Sequence, residues 1–184
     1  MISAPDEELM RDAREGDLRG IGVLFERHHA RLFNYFLRMT CARSTAEDLV
    51  QEVFFRIMRS RQTYKDGTPF TVWLYAIARN ARIDQARKDG REVALENEEL
   101  HRDSAPPPDA SVAANEETEL LKRAMAALPE DKRELLVLTR YQNLKYEQVA
   151  RLLGCEVGTV KVRIHRAVRE LREAYERLAR SKVA

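Results

Sequence analysis

The stretch at residues 143–171, NLKYEQVARLLGCEVGTVKVRIHRAVREL, decides the fold of the C-terminal part of the chain. Its layout is that of a helix-turn-helix: we expect a short helix over 146–153, a turn at Gly154 and a longer helix from about Val157. Ala150 is small enough for the two helices to approach closely, and Gly154 permits a left-handed turn. This spacing is typical of DNA-binding units.

The longer helix separates apolar from cationic positions. At a period of 3.6 residues, one arc is apolar and is expected to pack, while basic side chains lie away from it. From residue 140 to residue 184 there are eleven Lys or Arg against five Asp or Glu, a surplus of six in a chain whose net charge is +2. Such a concentration of positive charge suits contact with DNA phosphates, although a solvated, Arg-rich surface helix is the alternative. The apolar arc is Val160, Ile164, Ala167, Val168, Leu171, Ala174, Tyr175 and Leu178, and the cationic side holds Lys161, His165, Arg166, Arg169 and Arg172.

Composition excludes several classes of protein. A chain of 184 residues with 44% hydrophobic residues can bury one core or two small ones. The sequence has no long apolar run, so no membrane insertion is expected. Met1 is followed by an acidic segment rather than by the basic and apolar parts of a signal peptide, and we therefore expect a cytoplasmic protein.

Metal-binding and catalytic patterns are missing from the sequence. The cysteines are far apart and the histidines have no ligand spacing, so we predict no metal site and no cofactor. A nucleophile elbow, a phosphate loop and a clustered carboxylate pair are also absent, and the chain is not expected to be an enzyme. The residues concerned are Cys41, Cys155, His28, His29, His101 and His165.

Residues 1–88 have helical periodicity and predict one domain of four helices. The first helix ends near Gly16, and the second runs from about Leu18 to Cys41. The charges of this domain sum to fifteen basic minus twelve acidic, or +3, which is too even to identify a nucleic-acid surface.

Capping patterns place the third and fourth helices. Ser44 and Glu47 form a Ser-x-x-Glu capping box, which predicts that the third helix begins at residue 45 and ends near residue 61. After a loop over 62–67, Thr68 is the expected N-cap and Pro69 the first-turn residue of the fourth helix.

The composition changes after the first domain. Between residues 89 and 120, ten acidic residues oppose two basic ones, and three prolines at 106–108 interrupt any helix. We interpret residues 89–118 as a flexible acidic linker, which is either a solvated spacer or an occupant of a cationic binding groove when DNA is absent. Helical periodicity resumes over 119–184. The predicted fold class is therefore all-α, with two small helical domains.

Two separated stretches resemble one known family. AEDLVQEVFFRI (46–57) with TPFTVWLYAIARNARIDQARK (68–88), and ALPEDKRELLVLTRYQNLKYEQVARLLGCEVGTVKVRIHRAVREL (127–171), are similar in this order to the two domains of bacterial sigma factors of the sigma-70 family, extracytoplasmic-function (ECF) group. The resemblance implies a subunit that confers promoter recognition on core RNA polymerase. Its implied partners are core RNA polymerase and promoter DNA, both duplex and single-stranded. The residues alone also allow a stand-alone helix-turn-helix regulator with a helical dimerisation domain.

The resemblance implies a polymerase-docking face on the third helix. Asp48, Gln51 and Glu52 match the positions that contact the clamp helices of the largest polymerase subunit. Residues at i, i+3 and i+4 share one helix face, and these three present hydrogen-bond acceptors to a basic partner. An inhibitory partner, an anti-sigma factor, is implied by analogy with the group, and no residue of the sequence specifies one.

The resemblance also implies capture of a flipped base of the minus-ten promoter element near the loop before the fourth helix. An aromatic face can stack on a base for roughly 1–3 kcal/mol, an amide can read its edge and a cation can hold the backbone. Tyr64 is the stacking candidate, and packing within the loop is its alternative role. The matching positions are Arg56, Ser60, Tyr64, Ile77 and Asn80.

In the second domain, the resemblance implies contact with the duplex minus-thirty-five element. Lys and Arg suit guanine edges or phosphates. The sequence departs from the family pattern at Val162, where serine is common, and at Lys145 and Glu156, where serines commonly cap the two helices. The class is unaffected by these changes, but the promoter sequence is left open. The matching positions are Lys161, Val162, His165 and Arg166, and Arg163 and Arg169 are expected to contact phosphates.

Overall fold

The fold is all-α and divides into two compact helical units, residues 1–102 and residues 103–184. It is known from a computed structural model that describes residues 4–95 and 112–183, and these ranges contain no strand. The three prolines at 106–108 lie outside the described residues. The helices are α1 (Asp6–Glu15), α2 (Arg19–Thr40), α3 (Arg43–Ser60), α4 (Phe70–Leu95), α5 (Val112–Ala126), α6 (Glu130–Leu136), α7 (Tyr146–Leu153) and α8 (Val157–Val183).

Two helices extend into the span that composition assigned to the linker. The helix α4 continues to Leu95 instead of ending near residue 88, and α5 begins at Val112 instead of near residue 119. Gln85 Nε2 donates to Asp89 Oδ1 at 2.7 Å across that predicted boundary. Acidic composition did not mark the helix ends because Glu, Arg, Ala and Leu, which are frequent in these segments, all favour helix.

Left-handed residues end the first two helices where the sequence predicted. Gly16 has φ 109° and closes α1. Cys41 has φ 58° and closes α2, with its backbone N–H donated to Leu37 O at 3.0 Å. These turns let α1, α2 and α3 pack side by side.

The predicted capping box of α3 is wrong. The helix begins at Arg43, so Ser44 lies inside its first turn, and Ala42 occupies the N-cap. Glu47 Oε1 accepts from Arg43 Nε at 2.9 Å instead of reaching back to Ser44. The Glu47 side chain is therefore engaged by Arg43, and the helix begins two residues before the predicted start.

A residue distant in sequence caps the N-terminus of α4. Phe70 N–H donates to Glu7 Oε1 of α1 at 2.9 Å. Pro69 O accepts from the N–H groups of Val72 and Trp73, so Pro69 and not Thr68 occupies the N-cap position. The core that α1 to α4 enclose contains the fully buried Met10, Leu24, Leu32, Tyr35, Phe36, Ile57, Phe70 and Leu74.

In the second unit, α5, α6 and α7 pack against α8. Val160, Ile164, Ala167 and Ala174 are buried, as the apolar arc predicted. Val168 is 43% exposed, so its assignment to the packed side is wrong. At about 100° per residue it lies at the edge of the arc, where the neighbouring helices no longer cover it.

Candidate nucleic-acid and partner interfaces

The turn between α7 and α8 has the geometry predicted from its sequence. Gly154 adopts φ 63° and ψ 38°, and its N–H points back to Arg151 O at 3.4 Å. Cys155 N–H donates to Ala150 O at 3.0 Å. Ala150 and Val160 are both buried, one on each helix. The turn thus packs the side of α8 that carries Val160 against α7, and the other side of α8 faces outward.

The N-terminus of α7 compensates in part for its missing serine cap. Lys145 holds the N-cap position, and its backbone N–H donates to Gln148 Oε1 at 2.9 Å. This bond is one half of a capping box, which satisfies one donor at the helix start. The departure from the family pattern at Lys145 therefore leaves the helix start intact.

The outward side of α8 is cationic. Val162 is 52% exposed, and the basic side chains around it are exposed as well. Arg169 pairs with Glu173 at 3.7 Å. Within the described residues, Lys161, Arg163, His165 and Arg166 have no ion pair or side-chain hydrogen bond, so these four are available to a ligand. The predicted duplex-contacting residues brought onto this surface are Lys161, Val162, Arg163, His165, Arg166 and Arg169.

An ion pair inside the unit holds α8 in place. Lys132 Nζ of α6 lies 2.6 Å from both Oε1 and Oε2 of Glu170. Both side chains are less than a third exposed, so water screens the pair less than it would screen a surface pair. Because Glu170 follows Arg166 by one helical turn, the pair restrains the part of α8 that carries the cationic surface.

The exposed face of α3 combines acceptors with apolar groups. Asp48 and Gln51 are exposed and Glu52 is half-exposed. On the same face Phe55 is 55% and Met58 39% exposed. Such exposed apolar groups beside polar ones are frequent at protein–protein interfaces. Phe55 was missed because the pair at 54–55 does not reveal which ring faces inward.

Arg56 lies between two carboxylates at the groove of α3 and α4. Its Nε donates to Glu52 Oε1 at 2.6 Å and its Nη1 donates to Asp84 Oδ2 at 2.7 Å. Partial burial lowers the pKa of Arg56, but the hydrogen bonds that it donates to Glu52 and Asp84 outweigh this effect, and the pKa is raised overall. The guanidinium is therefore charged and doubly paired.

Two other predicted minus-ten residues each lie one helical turn from a residue of this contact. Ser60 Oγ donates to Arg56 O at 2.6 Å, one turn further along α3. Asn80 is exposed one turn before Asp84 on α4. Ile77 is half-buried one turn further towards the start of α4.

Tyr64 does not present a ring face, so its assignment as a stacking residue is corrected. It is 2% exposed, and its hydroxyl donates to Thr68 O at 2.6 Å. Its ring packs edge-on against Trp73 with centroids 5.2 Å apart. Burial, with the Glu7 and Asp66 carboxylates as further causes, raises the pKa of Tyr64 to about 12. The loop-packing alternative is the arrangement found.

His28 and His29 make contacts inside the first unit rather than at a metal site. His28 Nε2 lies 2.6 Å from Asp6 Oδ2, and the His29 ring stacks on Phe25 with centroids 5.0 Å apart. Over residues 4–95 and 112–183, no group of three or more metal-ligating side chains occurs. No helix in these ranges has the length and apolar character needed to cross a membrane.

Comparison with known proteins identifies both units. Residues 24–92 match Sigma-70 region 2, and residues 118–171 match Sigma-70, region 4, which together are more than half of the chain. The RNA polymerase sigma factor CarQ of Myxococcus xanthus is 34% identical over 168 residues, covering 89% of this chain and 94% of that protein. The ECF RNA polymerase sigma factor SigL of Mycobacterium tuberculosis is 34% identical over 158 residues, covering 85% and 89%.

Solved structures give the same result. The sigma factor RpoE of Bartonella quintana, in complex with the anti-sigma factor NepR, has a TM-score of 0.73 to this chain. The two are 27% identical, and the match covers 86% of this chain and 98% of that one. With two family regions in the expected order, the chain belongs to the sigma-70 family, ECF group, and is a sigma factor that directs promoter-specific transcription initiation.

Proposed function

We propose that this sigma factor docks on core RNA polymerase with the α3 face and reads the two promoter elements with different units. The observation that carries the proposal is the pair of unlike surfaces: an acceptor-rich face with exposed Phe55 in one unit, and in the other a cationic side of α8 that is exposed to solvent. Either surface alone fits many proteins. Their combination in one chain fits a protein that joins a polymerase to DNA.

The partner proposed for the α3 face is the clamp-helix region of the largest polymerase subunit. Asp48, Gln51 and Glu52 supply the acceptors, and Phe55 supplies an apolar contact at the centre of the same face. Aromatic anchors next to charged groups are where binding energy concentrates in protein interfaces. Basic residues on the partner would pair with these acceptors and so fix the position of α3 along the partner surface.

The partner proposed for α8 is the duplex minus-thirty-five element. Lys161, Arg163, His165 and Arg166 reach outward, and the Val162 methyl groups can contact thymine. Each good contact to a base contributes about 1–3 kcal/mol of discrimination, while contacts to phosphate position the helix. Arg169 is assigned to phosphate.

The partner proposed for the α3–α4 groove is the melted minus-ten strand. Arg56 is assigned to the backbone and Asn80 to a base edge, with Ser60 and Ile77 beside them. An amide can read the edge of an extruded base, and such contacts offset the few kcal/mol needed to unstack it. In this proposal the chain recognises DNA in the cytoplasm and catalyses nothing itself, since the polymerase carries out the chemistry.

An anti-sigma factor is included among the proposed partners. The Bartonella relative was solved with such an inhibitor, and the exposed α3 face of this chain offers a surface that an inhibitor and the polymerase would contest. Binding to either would then exclude the other.

In vitro transcription with purified core polymerase tests the proposed function. The chain should direct initiation at discrete start sites across host DNA, and alignment of those sites should yield two spaced elements. A stand-alone regulator would instead bind duplex DNA equally well without polymerase and direct no new start sites. That result would reject the proposal.

A further inference from the structure

The Arg56 guanidinium is held by one carboxylate from its own helix and one from the neighbouring helix. Glu52 lies one turn before it on α3, and Asp84 approaches from α4, with contacts of 2.6 and 2.7 Å. Asp84 matches none of the positions that the family resemblance assigned to a partner. Its side chain is 51% exposed, so the contact is open to water at one edge.

The charges around this contact oppose DNA. Two carboxylates against one guanidinium leave a net negative charge at the point where Arg56 would meet a phosphate. Asp48 and Lys88 line the same groove and cancel each other in formal charge. A phosphate approaching Arg56 would therefore meet a site that is already paired and slightly repulsive.

One of the two carboxylates belongs to the proposed docking face. Glu52 shares its side of α3 with Asp48 and Gln51, whereas Asp84 does not. A basic group of the polymerase that engages Glu52 would draw its carboxylate from Arg56. The guanidinium would then be held by Asp84 alone, with donors available to a phosphate.

We propose that Glu52 and Asp84 form a clip that withholds Arg56 from DNA in the free sigma factor, and that engagement of Glu52 by the polymerase opens it. Asp84 is accordingly a positioning residue that acts through Arg56. The inference rests on the proposed docking of Glu52. By linkage, polymerase binding and strand binding strengthen each other through this clip.

The test uses the full chain without polymerase and a fluorescein-labelled single-stranded DNA oligonucleotide, with anisotropy measured over a range of salt concentrations. Asp84→Asn keeps the shape of the side chain and removes its charge. We expect it to bind the oligonucleotide about threefold to tenfold more tightly than wild type at low salt. The slope of the logarithm of the binding constant against the logarithm of the salt concentration should be steeper by about 0.7, which corresponds to one added phosphate contact on a single strand.

Two controls separate the clip from a general effect of charge. Glu47→Gln removes a carboxylate from the same helix, but one that pairs with Arg43 and not with Arg56, and it should change affinity less than twofold. In Arg56→Gln/Asp84→Asn, the gain should disappear relative to Arg56→Gln alone. Equal gains for Glu47→Gln and Asp84→Asn, or a gain that persists in the double variant, would overturn the clip.

A second arm tests the opening step with saturating core polymerase. The advantage of Asp84→Asn should shrink in the holoenzyme, because engagement of Glu52 has already loosened the wild-type clip. An unchanged advantage would refute the opening step. If the wild-type chain does not bind polymerase at all, the proposed function is contradicted instead. The measurements on the free chain test the clip without polymerase, so they distinguish a failure of the clip from a failure of docking.

Discussion

Glu7 of α1 caps α4: its Oε1 accepts the backbone N–H of Phe70 at 2.9 Å across 63 residues of sequence. We expect Glu7→Ala to lower the free energy of unfolding of this unit by about 1 kcal/mol, because a helix donor loses its acceptor. Chemical denaturation followed by Trp73 fluorescence measures it, since Trp73 is the chain's one tryptophan. Glu8→Ala is the matched control, because Glu8 shares the first turn of α1 but not the cap. Equal losses in both variants would show that charge at the start of α1, and not the cap, matters.

Tyr64→Phe should destabilise the same unit at neutral pH by about 1 kcal/mol, because Thr68 O loses a hydrogen bond of 2.6 Å. At alkaline pH the effect should diminish. The folded pKa of Tyr64 is raised from 10.0 to about 12, so the unfolded chain loses this proton first. The free energy of unfolding therefore falls as pH rises from about 10 to about 12.

Comparison of wild type with Tyr64→Phe isolates this titration. Burial also raises the pKa of Tyr75, which contributes to the alkaline loss in both proteins. Denaturation curves at several pH values should show the two proteins converging above pH 10. Parallel curves would mean that Tyr64 ionises as readily in the folded state as in the unfolded chain.

Gly154→Ala and Gly158→Ala should have opposite effects on the second unit. A Cβ would meet no atom within 4 Å at either position, but Gly154 has φ +63° and Gly158 has an ordinary helical φ. We expect Gly154→Ala to cost about 1 kcal/mol and Gly158→Ala to be neutral or stabilising by up to about 1 kcal/mol. Native-state hydrogen exchange of α7 and α8 amides measures both. A loss at Gly158 as large as that at Gly154 would contradict the backbone explanation.

Asp48→Ala combined with Gln51→Ala should weaken core polymerase binding by about 1–3 kcal/mol, because two acceptors leave the proposed docking face. Surface plasmon resonance with immobilised core polymerase measures the affinity. Glu47→Ala alters the same helix at a residue paired with Arg43 and should bind as wild type does. If the double variant binds core polymerase as tightly as wild type does, the assignment of this face to docking is wrong.

Arg166→Ala should weaken binding to the minus-thirty-five duplex by about 1–3 kcal/mol while core polymerase binding stays unchanged. Arg180→Ala is the control, because Arg180 lies near the end of α8 and pairs with Glu176 at 3.6 Å. Holoenzyme titrations on promoter and scrambled duplexes separate base reading from phosphate contact. A uniform loss on both duplexes would assign Arg166 to phosphate, and identical curves for wild type and variant would exclude it from the interface.

Local rules predicted the helices and the turn between α7 and α8. Gly16 and Gly154 each ended a helix because glycine adopts positive φ without the steric cost of a Cβ atom. The apolar arc of α8 was correct at its centre and failed at Val168, on its edge, where burial depends on how wide the neighbouring helices are. Periodicity predicts the direction in which each side chain points, but not how far the neighbouring helices extend to cover it.

Contacts distant in sequence were beyond those rules. The resemblance made Tyr64 the stacking candidate and left packing within the loop as the alternative, and contacts with Phe70 and Trp73, which follow it in the chain, decide for packing. Arg56 meets Asp84 across 28 residues of sequence because α3 and α4 are antiparallel neighbours. The resemblance identified residues by position, and the structure added which of them are already engaged with each other.

The ion pair between Lys132 and Glu170 has a consequence for how promoter preference can change. Together with the buried apolar side of α8, it restrains the rotation of this helix about its own axis before DNA arrives, which lowers the conformational entropy that binding would cost. Through this restraint, α6 influences the direction in which the proposed base-contacting side chains of α8 point. No DNA contact is assigned to α6 itself. If α8 contacts the promoter as proposed, promoter preference can therefore change through substitutions in α6, while the proposed DNA-contacting residues stay the same.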